Sequence, residues 1–357
     1  MTESGSNTNS DPHPKRRKSL PARIVLGLVI LNFGLIVFGL ILLFGISERW
    51  WLGTVLTYAP RAALLIPGLI LLPFSLFAGR AAAGVNAVSL ALTSIPIMEF
   101  QMPLRFGSSP VGEPIRVLTC NVQRFKPDFD SLLAEIVATD CDLVVLQEAK
   151  GDKPQSLLDA FDGWHVVSTF EFWIASRDPV VLLSRCQSQV FNRESAIAVE
   201  VQAETGSFVL VDVHLVTARH GLLLLKPSTR SEESTGKFRK YQKNRAAEAE
   251  EVRKFIDQVE SGKPTIVAGD LNLPASSYLF RRVRGDFTDA FAAAGWGYGQ
   301  TAPNDGAGRL PAGWPWIRVD HILTNDFWHV ESCQTGKSNG SDHKCVWADL
   351  ILRPSGD

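Results

Sequence analysis

Cysteine is scarce and unpatterned in this chain. The five, at positions 120, 141, 186, 333 and 345, are odd in number and include no CxxC pair, so neither a zinc site nor a disulfide framework follows. A Cys333–Cys345 disulfide has nothing in the spacing to support it. Cys120 and Cys141 sit among apolar neighbours, where a free thiol acts as a small hydrophobe in a buried strand. Positive charge is lacking where a dedicated nucleic-acid binder needs it. The formal net charge is −1, and residues 111–357 hold 27 Lys/Arg against 33 Asp/Glu, a net of −6. Neutralising phosphates drives tight DNA binding, so this balance leans away from it. It leaves room for a metal-dependent nuclease, because a bound cation supplies positive charge locally. No internal repeat is present.

Charge of either sign is absent from Ile24 to Ile46, 23 residues in which only Asn32 is distinctly polar. That length can cross a hydrocarbon core of roughly 30 Å. A signal-peptide core would be shorter, about 7–15 residues, with a small-residue cleavage site behind it. Ser47-Glu48-Arg49-Trp50-Trp51 follows instead, an interfacial turn with an aromatic belt. Ala62–Gly79 is a second apolar run, and its Pro67 and Pro73 are better tolerated in lipid than in water. Ala81–Met98 is a third and weaker one, with Asn86, Ser89, Thr93, Ser94 and Pro96; a re-entrant or interfacial segment is its other reading. Residues 1–23 are Ser/Asn/Pro-rich and include Lys15-Arg16-Arg17-Lys18, which reads as a disordered basic tail. Nuclear localisation and nucleic-acid contact are other uses of such a run, but beside an apolar segment it is a cytoplasmic flank. Three spans, about 24–46, 62–79 and 81–98, would then place the C-terminal part outside the cytoplasm; two would leave it inside. The expectation is a multi-pass inner-membrane protein, with the lipid bilayer as the partner of its helices and the catalytic domain extracytoplasmic. No protein partner is inferable.

Residues 101–114, with Gly, Ser and three prolines, read as a linker. Over residues 115–353 short apolar runs alternate with amphipathic stretches. Strands are expected at Ile115–Cys120, Leu143–Leu146, Pro179–Ser184, Ala196–Val201, Phe208–Leu215, Thr265–Ala268, Val319–Leu323 and Cys345–Leu352. Phe129–Ala138 is a helix with Leu132, Leu133, Ile136 and Val137 on one side. Tyr241–Glu260 is another, with Ala246, Ala249, Val252, Phe255 and Ile256 as its apolar side. Sheets with helices on their outer faces follow, an α/β layered domain.

Polar groups that carry chemistry stand at the ends of the apolar runs: Asn121, Gln147-Glu148, Gly269-Asp270-Leu271-Asn272, Val319-Asp320-His321 and Gly340-Ser341-Asp342-His343. This set is rich in hard oxygen donors and suits a Mg²⁺-type ion and a phosphate ester. Asp270 and Asn272, two apart in an extended segment, project together. The carboxylate can orient or deprotonate water, and the amide can donate to a phosphate oxygen; a plain turn is the alternative. Glu148 closes a buried strand, where an unpaired carboxylate is costly without a partner or a metal. Alternation puts Asp212 and His214 on one face, opposite Val211, Val213 and Leu215. A lone strand histidine is more often structural, and His165, His220 and His329 are read so. His321 should point away from Asp320. Asp342 and His343, being adjacent, must serve different roles or lie on a loop, with Asp320 placed to fix the imidazole tautomer.

In this order the five motifs resemble the endonuclease/exonuclease/phosphatase superfamily, which includes deoxyribonuclease I, exonuclease III-type repair nucleases, sphingomyelinases and inositol polyphosphate 5-phosphatases. The resemblance runs from about Ile115 to Leu352, and the apolar N-terminal part is similar to that of bacterial membrane-anchored members. It implies a four-layered α/β sandwich of two packed mixed sheets and a Mg²⁺ or Mn²⁺ cofactor. It also implies Asn121, Glu148 and Asp342 near the metal, and His214, Asp270, Asn272, Asp320 and His343 as catalytic groups. His214 resembles a phosphate-stabilising histidine, Asp270 the water-activating aspartate, and Asp320 the partner of the terminal His343. Pro179–Arg185 resembles a structural strand of the family. The implied activity is hydrolysis of a phosphodiester by water, in nucleic acid, a phospholipid headgroup or a small molecule. A phosphomonoesterase and a non-catalytic, membrane-tethered binding protein are the alternatives. No 5-phosphatase signature surrounds Asp270, and no DNA-inserting loop is marked, so the substrate stays open.

Overall fold

The computed structural model describes residues 19–103, 112–126, 128–226, 228, 231–305, 311–337 and 340–353. The basic run at 15–18 and most of the expected linker lie outside these residues. The chain begins with helices α1 (Leu20–Leu40), α2 (Trp51–Tyr58), α3 (Leu65–Ala78) and α4 (Arg80–Leu92). A π-helical turn, Ile41–Ile46, and a 3-10 turn, Ser47–Arg49, extend α1. A second π-helical turn, Thr93–Ile97, extends α4 past Pro96. Three helical stretches, Leu20–Arg49, Arg61–Ala78 and Arg80–Ile97, are long and apolar enough to cross a membrane.

Helices α1, α3 and α4 pack on one another. Their outward faces are apolar, and Phe77 is 91% exposed. The polar side chains of the runs turn inward: Asn86 donates from Nδ2 to Gly68 O at 2.9 Å, and Thr93 from Oγ1 to Ser89 O at 2.9 Å. Polar-in and apolar-out is the packing expected of helices whose solvent is lipid.

The remaining elements form two six-stranded mixed sheets. The first holds β1 (Ile115–Asn121), β2 (Leu143–Gln147), β3 (His165–Ser168), β4 (Phe172–Ser176), β11 (Trp328–Thr335) and β12 (Val346–Leu352), in the order β11-β12-β1-β2-β4-β3. The second holds β5 (Val180–Ser188), β6 (Arg193–Ala203), β7 (Gly206–His214), β8 (Thr265–Asp270), β9 (Thr288–Asp289) and β10 (Asp320–Thr324), in the order β5-β6-β7-β8-β10-β9. β1 runs parallel to β2 and β7 to β8; their other pairings are antiparallel. Val117, Val145 and Ile174 of the first sheet meet Ile197, Leu210 and Ile266 of the second in a core between the sheets.

Helix α5 (Phe129–Ala138) covers the outside of the first sheet, and α8 (Glu232–Glu260) that of the second. Shorter helices α6 (Gln155–Ala160), α7 (Arg219–Leu223), α9 (Tyr278–Arg284) and α10 (Ala290–Ala294) complete the chain. This is the four-layered α/β sandwich. α8 begins nine residues before the expected Tyr241. Ser231 caps it, with reciprocal bonds to Ser234, and Glu232 and Glu233 suit the positive end of its dipole. Two residues assigned to apolar faces are exposed instead, Val137 of α5 and Ala246 of α8. All five cysteines are buried and free; Cys141 precedes β2 rather than lying in a strand.

A polar collar joins the membrane-type helices to the sandwich. Arg61 donates to Ile97 O at 2.6 Å, to Glu99 Oε1 at 3.0 Å and to Ser276 Oγ at 3.2 Å. The Glu48 carboxylate accepts from the Tyr278 amide at 2.9 Å, and from Ser277 Oγ. Burial pushes the Glu99 carboxyl up, but Arg61 and Ser276 outweigh it and hold it below the usual range. The end of the first apolar helix, the start of the second and the end of the third therefore meet the same side of the sandwich.

Candidate active site

Sheet register builds the site. His214, Asp270 and Asp320 lie opposite one another across β7, β8 and β10, so three strands present one row of polar side chains. Asn121 and Gln147 form the matching row at the ends of β1 and β2. Gly269 lets the row close. Its φ is +140°, and a Cβ there would lie 2.0 Å from Val213 O, so only glycine fits.

Asp270 is the hub, fully buried. Its Oδ2 accepts from Asn121 Nδ2 at 3.1 Å and Asn272 Nδ2 at 3.0 Å, and its Oδ1 from the Asn272 amide at 2.9 Å. His343 Nε2 stands 3.8 Å and His214 Nε2 3.6 Å from Oδ2. Burial pushes the Asp270 carboxyl up; His343 opposes this and Asp320 adds to it. His343 follows a loop anchored by Ser341, whose Oγ donates to Asn121 O at 2.7 Å. Its Nδ1 lies 2.9 Å from Asp320 Oδ2. Burial disfavours the imidazolium, yet Asp320 and Asp270 outweigh burial and hold its pKa well above the ordinary value. Asp270, Asp320 and His343 offer ligand atoms within 4.8 Å of one another.

Glu148 caps β2 with φ +53°, and Asn272 has φ +51°. Left-handed backbone in non-glycine residues is a cost that clusters at functional positions. Glu148 Oε1 lies 3.9 Å from His214 Nε2. Asp342 is half-buried on the other side of Asn121, its amide 3.3 Å from Gln123 Oε1. Burial raises the Asp342 carboxyl; His343 opposes this, while Glu148, Asp305 and Asp320 add to it. Glu148 and Asp342 crowd negative charge together, which suits a divalent cation, and Asn121 Oδ1, which accepts from the Gln123 amide at 3.0 Å, keeps a second lone pair for one.

The structure thus gathers all eight residues singled out from the sequence into one cluster at the strand ends. It also alters one role: Asn272 spends its amide hydrogens on Asp270 and on Leu215 O, the latter at 2.8 Å, rather than facing outward. Gln147 turns between the sheets, donating to Asp212 Oδ1 at 2.7 Å. His321 points to the opposite side of β10, with Nε2 2.9 Å from Leu273 O. His165 lies on β3, His220 in α7, and His329 on β11 beside Glu331, all outside the cleft.

Sequence reasoning missed the supports. Glu171 Oε1 lies 2.7 Å from His214 Nδ1 and aims the other ring nitrogen at the cleft. Arg193 reaches His214 O at 2.9 Å and Glu171 at 3.3 Å, and Lys150 reaches Glu171 at 3.0 Å. Burial pushes the Glu171 carboxyl up, but His214, Arg193 and Lys150 together lower it to about 2. No spacing links residues 150, 171, 193 and 214; only sheet packing does. A second missed set comes from the collar. Arg245 donates to Tyr58 Oη at 2.8 Å and Asn272 O at 3.2 Å, and the Tyr58 hydroxyl shares its one proton between Glu48 Oε1 at 3.2 Å and Asn272 O at 3.3 Å.

Two facing mixed sheets with carboxylates and histidines clustered at their strand ends define a class of α/β sandwich folds. The profile of the Endonuclease/Exonuclease/phosphatase family matches residues 118–343, and the chain belongs to that family. No curated protein sequence matches it. Among solved structures it is similar to a 3′-5′ exonuclease (NExo) from Neisseria meningitidis, with 19% identity and a TM-score of 0.47 over 67% of this chain and 100% of that one. It is also similar to a mannosyl-6-phosphatase from Bacteroides thetaiotaomicron, with 14% identity and a TM-score of 0.48 over 67% and 100%. An endonuclease/exonuclease/phosphatase from Beutenbergia cavernae aligns with 19% identity and a TM-score of 0.46 over 68% and 72%.

Proposed function

We propose that this chain is a membrane-anchored, divalent-metal-dependent phosphoesterase that hydrolyses a phosphodiester with water as nucleophile. The observation that carries the reading is the row His214–Asp270–Asp320 with His343 closing over it. Glu148, with Asn121 and Asp342, would hold Mg²⁺ or Mn²⁺, which when bound supplies Lewis-acid stabilisation of charge on the phosphoryl group. Asp270 would orient the attacking water and take its proton, held in place by Asn121 and Asn272. His343, its imidazolium sustained by Asp320, would donate from Nε2 to the leaving oxygen. The gap of 3.8 Å between His343 Nε2 and Asp270 Oδ2 is too long for a direct hydrogen bond, so the Nε2 proton is not spent on Asp270. His214, aimed by Glu171, would stabilise a second phosphoryl oxygen from the other side.

The three apolar helices would form a three-span anchor. With the basic N-terminal flank in the cytoplasm, the domain would then lie outside it. Purified full-length protein assayed with plasmid DNA, sphingomyelin, phosphoinositides and an aryl phosphodiester should show metal-stimulated turnover of at least one of them. Full activity of Glu148→Ala or His343→Ala would sink the assignment. For topology, a C-terminal reporter active only outside the cytoplasm should give signal; a silent reporter beside a working cytoplasmic one would reverse it.

A further inference from the structure

A cavity of about 570 Å³ lies between the collar and helix α8. One wall is the turn that ends the first apolar helix, with Arg49, Trp50 and Trp51. The other is a stripe of α8, with Thr235, Arg239, Gln242, Lys243 and Ala246. Spacings of three and four residues put these on one helical face. It borders the face that packs on the second sheet, meeting it at Ala249, with Val252, Phe255 and Ile256 beyond. Ala246, expected in the core, lines this cavity instead.

The lining is cationic in a domain that is acidic as a whole. Arg49 lies over the Tyr278 ring at 3.9 Å. Arg239 and Lys243 have neither an ion pair nor a hydrogen bond with any described residue. Four residues apart on one helix, they repel each other unless an anion sits between them. Glu48, the acid in the lining, is already engaged by Ser47, Tyr58, Ser277 and the Tyr278 amide. Gln242 donates from Nε2 to Thr54 Oγ1 at 3.2 Å, while its buried Oε1 has no hydrogen-bond donor. Trp50 and Trp51 meet edge to face, with centroids 5.8 Å apart, directly after the apolar helix. Tryptophans in that position mark the headgroup level of a bilayer.

We propose that this cavity binds the headgroup of an anionic phospholipid from the leaflet that meets the collar. The phosphate would lie between Arg239 and Lys243, with Arg49 beside it. The position of residues 49–51 at the end of an apolar helix favours a lipid phosphate over a free anion. The inference rests on the helices lying in a bilayer, not on the phosphoesterase reading.

The test uses full-length protein in phosphatidylcholine nanodiscs with and without phosphatidylglycerol, and native mass spectrometry to count retained lipid. Phosphatidylglycerol should be retained in preference to phosphatidylcholine. Arg239→Glu with Lys243→Glu should weaken retention on the order of tenfold or more, and Lys243→Gln alone by less. Lys240→Glu, one position along the same helix and outside the lining, should bind as wild type. His343→Ala should also bind as wild type, so that loss of hydrolysis and loss of lipid remain separate results. Equal retention of the two lipids, displacement of phosphatidylglycerol by equimolar inorganic phosphate, or full retention by Lys243→Gln and the folded double variant would each overturn the proposal.

Discussion

The N-terminal bundle and the sandwich solve the same packing problem in opposite senses. In the bundle, Leu31, Ile70 and Phe77 face outward while Asn86, Ser89 and Thr93 face inward. In the sandwich, Val117, Leu210 and Ile266 are buried and the charged side of α8 faces out. The difference teaches which solvent each surface suits, because apolar side chains are driven from water and not from lipid. Where the two meet, neither rule serves. Buried ion pairs and hydrogen bonds, Arg61–Glu99 and Tyr58–Arg245–Asn272, make the join.

Removing the chemistry should spare both regions and affect activity alone. His343→Ala or Glu148→Ala should lower metal-stimulated hydrolysis by about 10²–10⁴-fold, with the melting profile kept. Chelation should do the same to the wild type, and added Mg²⁺ should raise the melting temperature of the sandwich by mass action but not that of Glu148→Ala. Breaking the join comes next in size. Arg61→Ala leaves the Glu99 carboxylate buried without its partner, at a cost of about 3–5 kcal/mol. Hydrogen exchange should report this as loosening of residues 272–278 and of the helix ends, with the central strands unchanged. Tyr58→Phe is gentler. It removes one donor to Asn272 O, and kcat should fall by roughly threefold, about 0.7 kcal/mol, with little change in KM; an unchanged kcat would show that the collar holds the domain without setting its site.

The smallest effect separates the regions by pH. Glu171 has a folded pKa of about 2, below its ordinary value. Its stabilisation is therefore complete above the unfolded carboxyl range and is lost as the pH falls from about 4.5 toward 2. Acid unfolding of the sandwich should shift in Glu171→Gln, whose partners His214, Arg193 and Lys150 all lie in the sandwich, and the bundle should not follow. A coincident shift of both would show that they unfold as one unit.

Much of this was legible along the chain. Leu143–Leu146 and Thr265–Ala268 are continuous apolar runs bounded by polar residues, a pattern that buried strands leave in any sequence. Helix Phe129–Ala138 is legible to the residue from its apolar period, and the structure adds Asp128 as its cap. The strands β3, β4, β9 and β11 were missed. β3 sits at a sheet edge with mostly exposed residues, and His165, Val166 and Ser168 carry no alternation to read. Ala246 and Val137 were misplaced because periodicity marks a stripe and not how far a sheet extends beneath it.

Local order along the chain determined that apolar helices would precede an α/β domain, and that Asn121, Glu148, Asp270, Asp320 and His343 would stand at strand ends. Short-range periodicity and strand termini depend on neighbours a few residues away, so sequence alone carries them. Tertiary structure decided that Glu171 would aim His214, that Asn272 would serve Asp270, and that Tyr58 would touch the site from the side of the N-terminal helices. These contacts join residues 43, 2 and 214 positions apart. Even the shortest is set by the turn that β8 must make against β10, and the others by sheet register and layer packing, which no local pattern records.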